Sequence, residues 1–322
     1  MSPVSSEWTR IAMLHAALGG APGAHVTLGI GDDAAVIAPP GEPLVWTIDA
    51  AVDGVHFRRD LLSLADIGYR STMAAASDLA AMGARPLGLL AALALPSWLG
   101  DDDLAALAAG QREAADAIGA AVIGGNLARA GELSITTTAL GAAAHPLTRA
   151  GARPGDALWM AGPVGLAAAG LALLMEGREL DSDAARAAVR AWRRPRARID
   201  DGLRAGALAR AAIDVSDGLA QDLGHLARAS GVSAIIDAEA VIGAELSIVA
   251  ASLGRDPLDL ALRGGEDYAL VVVLAAGDAL DGFVRIGEIV DRSGEAQVAL
   301  LRGGVVTALE ERGFDHFARS DR

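Results

Sequence analysis

The feature that most constrains this chain is a break near its middle. His145–Asp156 holds two prolines and two glycines, and no apolar period runs through it. On either side, helix-spaced and strand-spaced apolar runs alternate, so each flank must fold as a mixed unit rather than as a bundle or a sandwich. The length of 322 residues suits two domains of ordinary size. The expected fold is therefore α/β (α+β) in two domains, residues 1–144 and 145–322.

Trp8, Ile11, Leu14 and Leu18 recur at helical steps and predict a helix over Glu7–Leu18. Further helices are expected at Ala65–Met82 and Asp101–Ile118. Strands are expected at His25–Ile30, Ala34–Ile37, Leu44–Ile48, Leu87–Leu95, Ala121–Ile123 and Leu133–Leu140. After the break come a strand at Ala157–Ala161, a turn at Gly162-Pro163-Val164-Gly165 and a helix at Leu166–Met175. Helices then follow at Ala184–Ala191, Ile199–Arg210 and Leu219–Ala229, with strands at Ala211–Val215, Ser233–Ile236 and Tyr268–Leu274. Ala157–Met175 carries no charge and is just long enough to span a bilayer, but the Gly-Pro turn divides it and alanine drives insertion weakly. No membrane partner is expected, and the first residues lack the pattern of a secretory signal.

Composition narrows the function. There are 41 acidic and 27 basic side chains, a net charge of −14, and no dense basic stripe beyond the arginines of Arg190–Arg198. That balance argues against nucleic acid as a partner. With no cysteine, the chain has no disulfide, zinc–thiolate site, iron–sulfur cluster or cysteine nucleophile, and it suits a reducing cytoplasm.

Acids stand where apolar runs end. Asp32 and Asp33 follow a glycine, Asp49 ends Leu44–Ile48, Asp78 follows Ser77, and Asp214 interrupts Ile213-Asp214-Val215 ahead of Asp217. The sequence Ala76-Ser77-Asp78 is echoed by Val215-Ser216-Asp217, where helix capping by the second pair is the plain alternative. An acid within an apolar run is costly unless it is paired or metal-bound. So many point to a shared cation site, and carboxylate oxygens without cysteine suit Mg²⁺ or Mn²⁺, a carboxylate-held Mg²⁺ leaving positions for phosphate oxygens. The glycine-rich turns Gly29-Ile30-Gly31, Gly124-Gly125-Asn126 and Gly264-Gly265 permit close backbone approach to a ligand, and Gly162–Gly165 offers N–H groups to an anion. Neither the P-loop pattern nor the dinucleotide-binding fingerprint is present.

Taken together, Gly29-Ile30-Gly31-Asp32-Asp33-Ala34, Asp53-Gly54-Val55-His56-Phe57, Ser77-Asp78-Leu79-Ala80, Arg149–Asp156, Asp214-Val215-Ser216-Asp217-Gly218, Gly264-Gly265-Glu266-Asp267-Tyr268 and Gly313-Phe314-Asp315-His316-Phe317 resemble, in order and spacing, the thiamine-monophosphate kinase family. That family shares its fold with aminoimidazole ribonucleotide synthetase, selenophosphate synthetase and a hydrogenase-maturation protein. The resemblance implies a homodimer whose N-terminal mixed sheets close into a barrel. It also implies ATP, several Mg²⁺ ions, and direct γ-phosphoryl transfer to thiamine monophosphate with no catalytic base. By resemblance, Asp33, Thr47, Asp49, Asp78, Asp214 and Asp217 fall on metal positions, Gly125, Arg149 and Ser216 on ATP contacts, and His56, Glu266 and Phe314 on acceptor contacts.

The chain departs from the family pattern in two places. Asn126 stands where an aspartate is usual for metal and ATP, and Ile48 where a hydroxyl residue is usual at the metal. They leave two other readings open, a relative with a different acceptor and a non-catalytic ATP/Mg²⁺-binding module. The cysteine-dependent selenophosphate and hydrogenase branches are less similar.

Overall fold

The computed structural model describes residues 5–19, 23–292, 297–311 and 313. The chain divides into two compact units, Met1–Pro146 and Leu147–Arg322.

In the first unit, α1 (Glu7–Leu18) precedes the short antiparallel pair β1 (Val26–Leu28) and β2 (Val36–Ile37). Next come β3 (Leu44–Val52), α2 (Leu64–Ala81), β4 (Arg85–Leu95), α3 (Asp101–Ala117), β5 (Val122–Arg129) and β6 (Ser134–Ala142). A four-stranded sheet has the order β3-β6-β4-β5, with β4 and β5 parallel and the other neighbours antiparallel. A capping box starts α2: Ser63 Oγ accepts the Asp66 N–H at 3.1 Å, and the Asp66 carboxylate accepts the Ser63 N–H at 3.3 Å. Ile67, Met73, Ala76 and Leu79 bury the inner stripe of α2. Glycine lets α2 meet α3 almost backbone to backbone, since a Cβ on Gly68 would overlap the Leu107 carbonyl oxygen and one on Gly110 that of Ala65.

The second unit runs β7 (Ala157–Ala161), α4 (Leu166–Met175), α5 (Asp183–Arg193), α6 (Ile199–Ala205), β8 (Ala211–Val215), α7 (Leu219–Ser230) and β9 (Ser233–Asp237). It continues with α8 (Ala244–Leu253), α9 (Pro257–Arg263), β10 (Ala269–Leu274), β11 (Val284–Val290), β12 (Val298–Arg302) and β13 (Val305–Ala308). The seven strands order as β13-β12-β9-β11-β7-β10-β8, and only β12 and β9 pair in parallel. Leu158, Ile213, Val215, Leu223, Leu226, Val271 and Val273 belong to its fully enclosed core.

Three expectations change. The strand expected to end before Asp49 continues to Val52, so Asp49 lies inside β3, opposite Thr137 of β6. The Gly124-Gly125-Asn126 segment is strand rather than turn, because β5 pairs with β4 through it. The helix expected over Ile199–Arg210 stops at Ala205, where Gly206 weakens its continuation. Among the described residues no helix is long and apolar enough to cross a membrane.

Candidate functional site

In the first unit, strand alternation sorts the β3 side chains. Thr47 and Asp49 share one face, and Thr47 Oγ1 donates a hydrogen bond to Asp78 Oδ2 of α2. Thr47 and Asp78 are half-buried, while Asp49 is exposed and its Oδ1 accepts the Ala50 N–H at 2.7 Å. The register carries this face from Asp49 through Thr137 and Ala91 to Gly125. A Cβ on Gly125 would overlap the Ala91 carbonyl oxygen, so only glycine fits there. The Thr137 hydroxyl is buried with no hydrogen-bond partner among the described residues.

The opposite face takes Ile48 and Asn126, which stand away from Thr47 and Asp49. Ile48 brings no donor and is 65% exposed, beside Trp46 at 72%. Asp33 is exposed, with its N–H donating to Asp32 Oδ1 at 2.8 Å. His56 follows β3, and its Nδ1 accepts the Val52 N–H at 3.1 Å, which leaves the ring proton on Nε2.

In the second unit the acids gather where β8 turns into α7. Asp214 is buried within β8, while Ser216 and Asp217 are half-buried just beyond it. Neither Ser216 nor Asp217 caps α7: the N-cap is Gly218, with no side-chain cap bond. Asp222 reaches back from inside the helix instead, and its Oδ2 accepts the N–H groups of Ser216, Asp217 and Gly218 at 3.0, 3.1 and 3.2 Å. Burial, then the charges of Asp214 and Asp217, push the Asp222 pKa up to about 7. Gln221 Nε2 donates to Asp217 Oδ2 at 3.3 Å. A Cβ on Gly313 would lie 2.5 Å from the Asp217 carbonyl oxygen, so the chain's last described residue stands against this turn. Phe314 lies outside the described residues.

Arg149 is exposed, and its carbonyl accepts the Ser230 hydroxyl at 2.9 Å. Burial, then Arg228 and Arg149, lower the His225 pKa while Asp217 opposes them, which puts Arg149 and Asp217 both within electrostatic reach of one side of α7.

Beside that turn, Glu266 and Tyr268 hold left-handed backbone, at φ +65° and +49°. Such residues persist only where their surroundings fix them. The Glu266 N–H donates to the Ser216 carbonyl at 2.8 Å and the Tyr268 N–H to the Val215 carbonyl at 2.9 Å. Trp192 Nε1 donates to Glu266 Oε2 at 2.9 Å. Asp267, between them, accepts the N–H groups of Gly165 at 2.6 Å and Ala167 at 2.9 Å. The Gly162–Gly165 turn therefore does not await an external anion, because the chain supplies its own carboxylate to the start of α4. Burial pushes the Asp267 pKa up to about 7 against those hydrogen bonds.

Among the described residues no group of three or more His, Asp or Glu side chains forms a cage for a metal. The acids divide between the two units, Asp33, Asp49 and Asp78 in the first and Asp214 and Asp217 in the second. The donor chemistry still fits Mg²⁺. Every candidate ligand is a hard oxygen, Thr137 carries an orphaned hydroxyl beside Asp49, and the mutual repulsion at Asp214, Asp217 and Asp222 is what a cation relieves. Sequence reasoning missed Asp222 and Trp192 as parts of this region and gave Asp267 no role beyond its place in the motif. The spacing from Gly218 to Asp222 is a legible cue, whereas the reach of Trp192 to Glu266 across the fold leaves no local mark.

Comparison with known proteins follows this architecture. Residues 31–143 match the family model described as AIR synthase related protein, N-terminal domain, and residues 153–298 match its C-terminal domain. A curated thiamine-monophosphate kinase of Salmonella typhimurium is 36% identical, with 91% of this chain and 93% of that protein covered. A Mycobacterium tuberculosis protein of the same description is 36% identical, with coverage of 83% and 80%. The crystal structure of thiamine-monophosphate kinase from Stenotrophomonas maltophilia superposes with a TM-score of 0.80 at 37% identity, covering 92% of this chain and 96% of that one. A structure described as AaThiL complexed with AMPPCP and TMP gives 0.80 at 30% identity, covering 97% of both chains. Hydrogenase-maturation proteins near 20% identity share the fold alone. With a match of this extent in both halves, the chain belongs to the thiamine-monophosphate kinase family, on the two-domain AIR synthase related fold.

Proposed function

We propose that the chain transfers the γ-phosphoryl group of ATP to thiamine monophosphate, giving thiamine diphosphate and ADP, in the cytoplasm. The observation that carries this reading is 36% identity to a curated thiamine-monophosphate kinase with 91% of the chain covered, and oxygen-donor side chains in both matched halves.

Asp33, Thr47, Asp49 and Asp78 from the first unit, and Asp214 and Asp217 from the second, would hold the Mg²⁺ ions. Bound Mg²⁺ supplies neutralisation of phosphate charge. Arg149 adds a fixed cation for ATP, and Gly125 and Ser216 present backbone and hydroxyl to it. Asp222 keeps the Ser216–Gly218 N–H groups occupied, so the turn holds its shape as the charge around it changes. His56, Glu266 and Phe314 would contact the acceptor, Phe314 by stacking its ring. The nucleophile is a phosphate oxygen, ionised at neutral pH. The bond formed joins it to the γ-phosphorus, the bond broken is that to the β,γ-bridging oxygen, and no base is needed.

Asn126 offers a neutral carbonyl oxygen where charge is usual, so the Mg²⁺ position it serves would be weakened; Ile48, on the same face but on the opposite edge strand, offers no oxygen at all. The same face exposes Leu44, Trp46 and Ile48 along the edge strand β3, an apolar strip suited to a second copy of this chain in a homodimer.

The test is thiamine diphosphate formation from purified protein, ATP and Mg²⁺, with thiamine monophosphate or free thiamine as acceptor. Product from the monophosphate alone is the expected result. Absence of product, with ATP binding demonstrated and Mg²⁺ in excess, overturns the assignment in favour of another acceptor or a non-catalytic nucleotide-binding module.

A further inference from the structure

We propose that Trp192 is a positioning residue that sets the direction of the Glu266 carboxylate and thereby tunes affinity for the acceptor but not for ATP. The inference rests on the reading of Glu266 as an acceptor contact, and it adds a residue from a distant helix to that contact.

Trp192 closes the buried stripe of α5, after Ala185, Ala188 and Val189, and is 2% exposed. Its ring is thus locked by packing, and its one polar atom, Nε1, is aimed at Glu266 Oε2 at 2.9 Å. A buried indole does not acquire such a partner automatically. Trp159 of β7, in the same unit, has a buried Nε1 with no hydrogen-bond partner among the described residues. The glutamate at the other end is equally constrained. Its left-handed backbone is fastened through its N–H to the Ser216 carbonyl, and its neighbour Asp267 is fastened to the start of α4.

Backbone and neighbour therefore fix where the Glu266 side chain leaves the chain, and Trp192 holds one oxygen of its carboxylate. A rigid ring with a single donor suits that task, because it loses little conformational freedom in making the bond. A donor–carboxylate bond of this kind is charge-assisted and directional. Its loss removes a directional hold on Oε2, which weakens any ground-state contact made through that carboxylate.

The experiment is steady-state kinetics on the full chain with Trp192→Phe, Glu266→Ala and the double variant. Trp192→Phe keeps most of the ring and removes the donor. The expected result is a KM for thiamine monophosphate raised about tenfold, with kcat and the KM for ATP within about twofold. In the Glu266→Ala background the same substitution is expected to add nothing to the acceptor KM, since the carboxylate through which it acts is gone. A loss of thermal stability with an unchanged acceptor KM, or an equal rise in both backgrounds, overturns the positioning role. An acceptor KM unmoved by Glu266→Ala alone refutes the acceptor contact on which the inference rests, whatever Trp192→Phe does.

A second measurement needs no substitution at Trp192. In protein carrying ¹⁵N-labelled tryptophan, the Trp192 indole N–H resonance is identified by removing Trp8, Trp46, Trp98 and Trp159 in turn. It is expected to shift in Glu266→Ala and on saturation with thiamine monophosphate. A resonance indifferent to both overturns the proposal.

Discussion

Asp267→Asn separates a buried charge from the hydrogen bonds it makes. Asp267 accepts two N–H groups at the start of α4, and its pKa is raised from an ordinary 3.8 to about 7, chiefly by burial. The sign follows from linkage. Below 3.8 the side chain is protonated in both folded and unfolded chain. Between 3.8 and about 7 only the unfolded chain ionises, which draws the equilibrium away from the fold, and above about 7 the penalty is complete. From about pH 5.5 to about pH 8, this one group is expected to remove about 2 kcal/mol of stability. Asparagine does not titrate, so the variant lacks that loss. It also keeps only one acceptor oxygen for two donors, at a cost of about 1 kcal/mol that does not vary with pH. The assay is urea unfolding of both proteins at the two pH values, without ligand or metal. Taking the difference between proteins at each pH cancels every other titrating group. The variant's deficit is expected to shrink or reverse at the higher pH. Equal losses in both proteins, within about 0.5 kcal/mol, would refute a charge held up by burial at this site.

Three further outcomes are expected. Gly125→Ala drives a Cβ into the Ala91 carbonyl oxygen and should cost about 2 kcal/mol or more through strain between β4 and β5, read as a lower melting temperature. Asn126→Asp should lower the Mg²⁺ concentration for half-maximal rate several-fold, and an unchanged Mg²⁺ dependence would sink the weakened-site reading. Trp46→Glu places charge on a residue 72% exposed, so the folded unit should tolerate it while sedimentation velocity shows monomer in place of dimer. A dimer that survives that substitution excludes the open face of β3 as the contact.

Much of the scaffold is legible where one local signal dominates. The period of Trp8, Ile11, Leu14 and Leu18 gives α1, and the apolar runs at Ala157–Ala161 and Ala211–Val215 give β7 and β8. The signal fails where pairing overrides local chemistry. Gly124 and Gly125 read as a turn, yet β4 recruits them into a strand whose close approach needs glycine. Asp49 reads as a strand end because charge usually closes an apolar run, but the pairing of β3 with β6 carries it through the middle. The helix α8 buries only Leu246, Val249, Ala250 and Leu253 and has little amphipathic contrast to announce it. Of the candidate site, the sequence names the acids but does not give the faces on which they stand. That Ile48 and Asn126 stand opposite Thr47 and Asp49 follows from register, a long-range property that no short window contains. The raised pKa values of Asp222 and Asp267 likewise arise from enclosure by segments far away in the chain.

The left-handed pair at Glu266 and Tyr268 bears on how this enzyme can evolve. Each non-glycine residue in that region carries about 1 kcal/mol or more of backbone strain. Glycine at either position would relieve that strain, but at 268 it would also give up the half-buried tyrosine ring. Glycine at 266 would also delete the carboxylate that Trp192 addresses. Heat-selected libraries should therefore keep Tyr268 and should admit glycine at 266 only when turnover is not demanded.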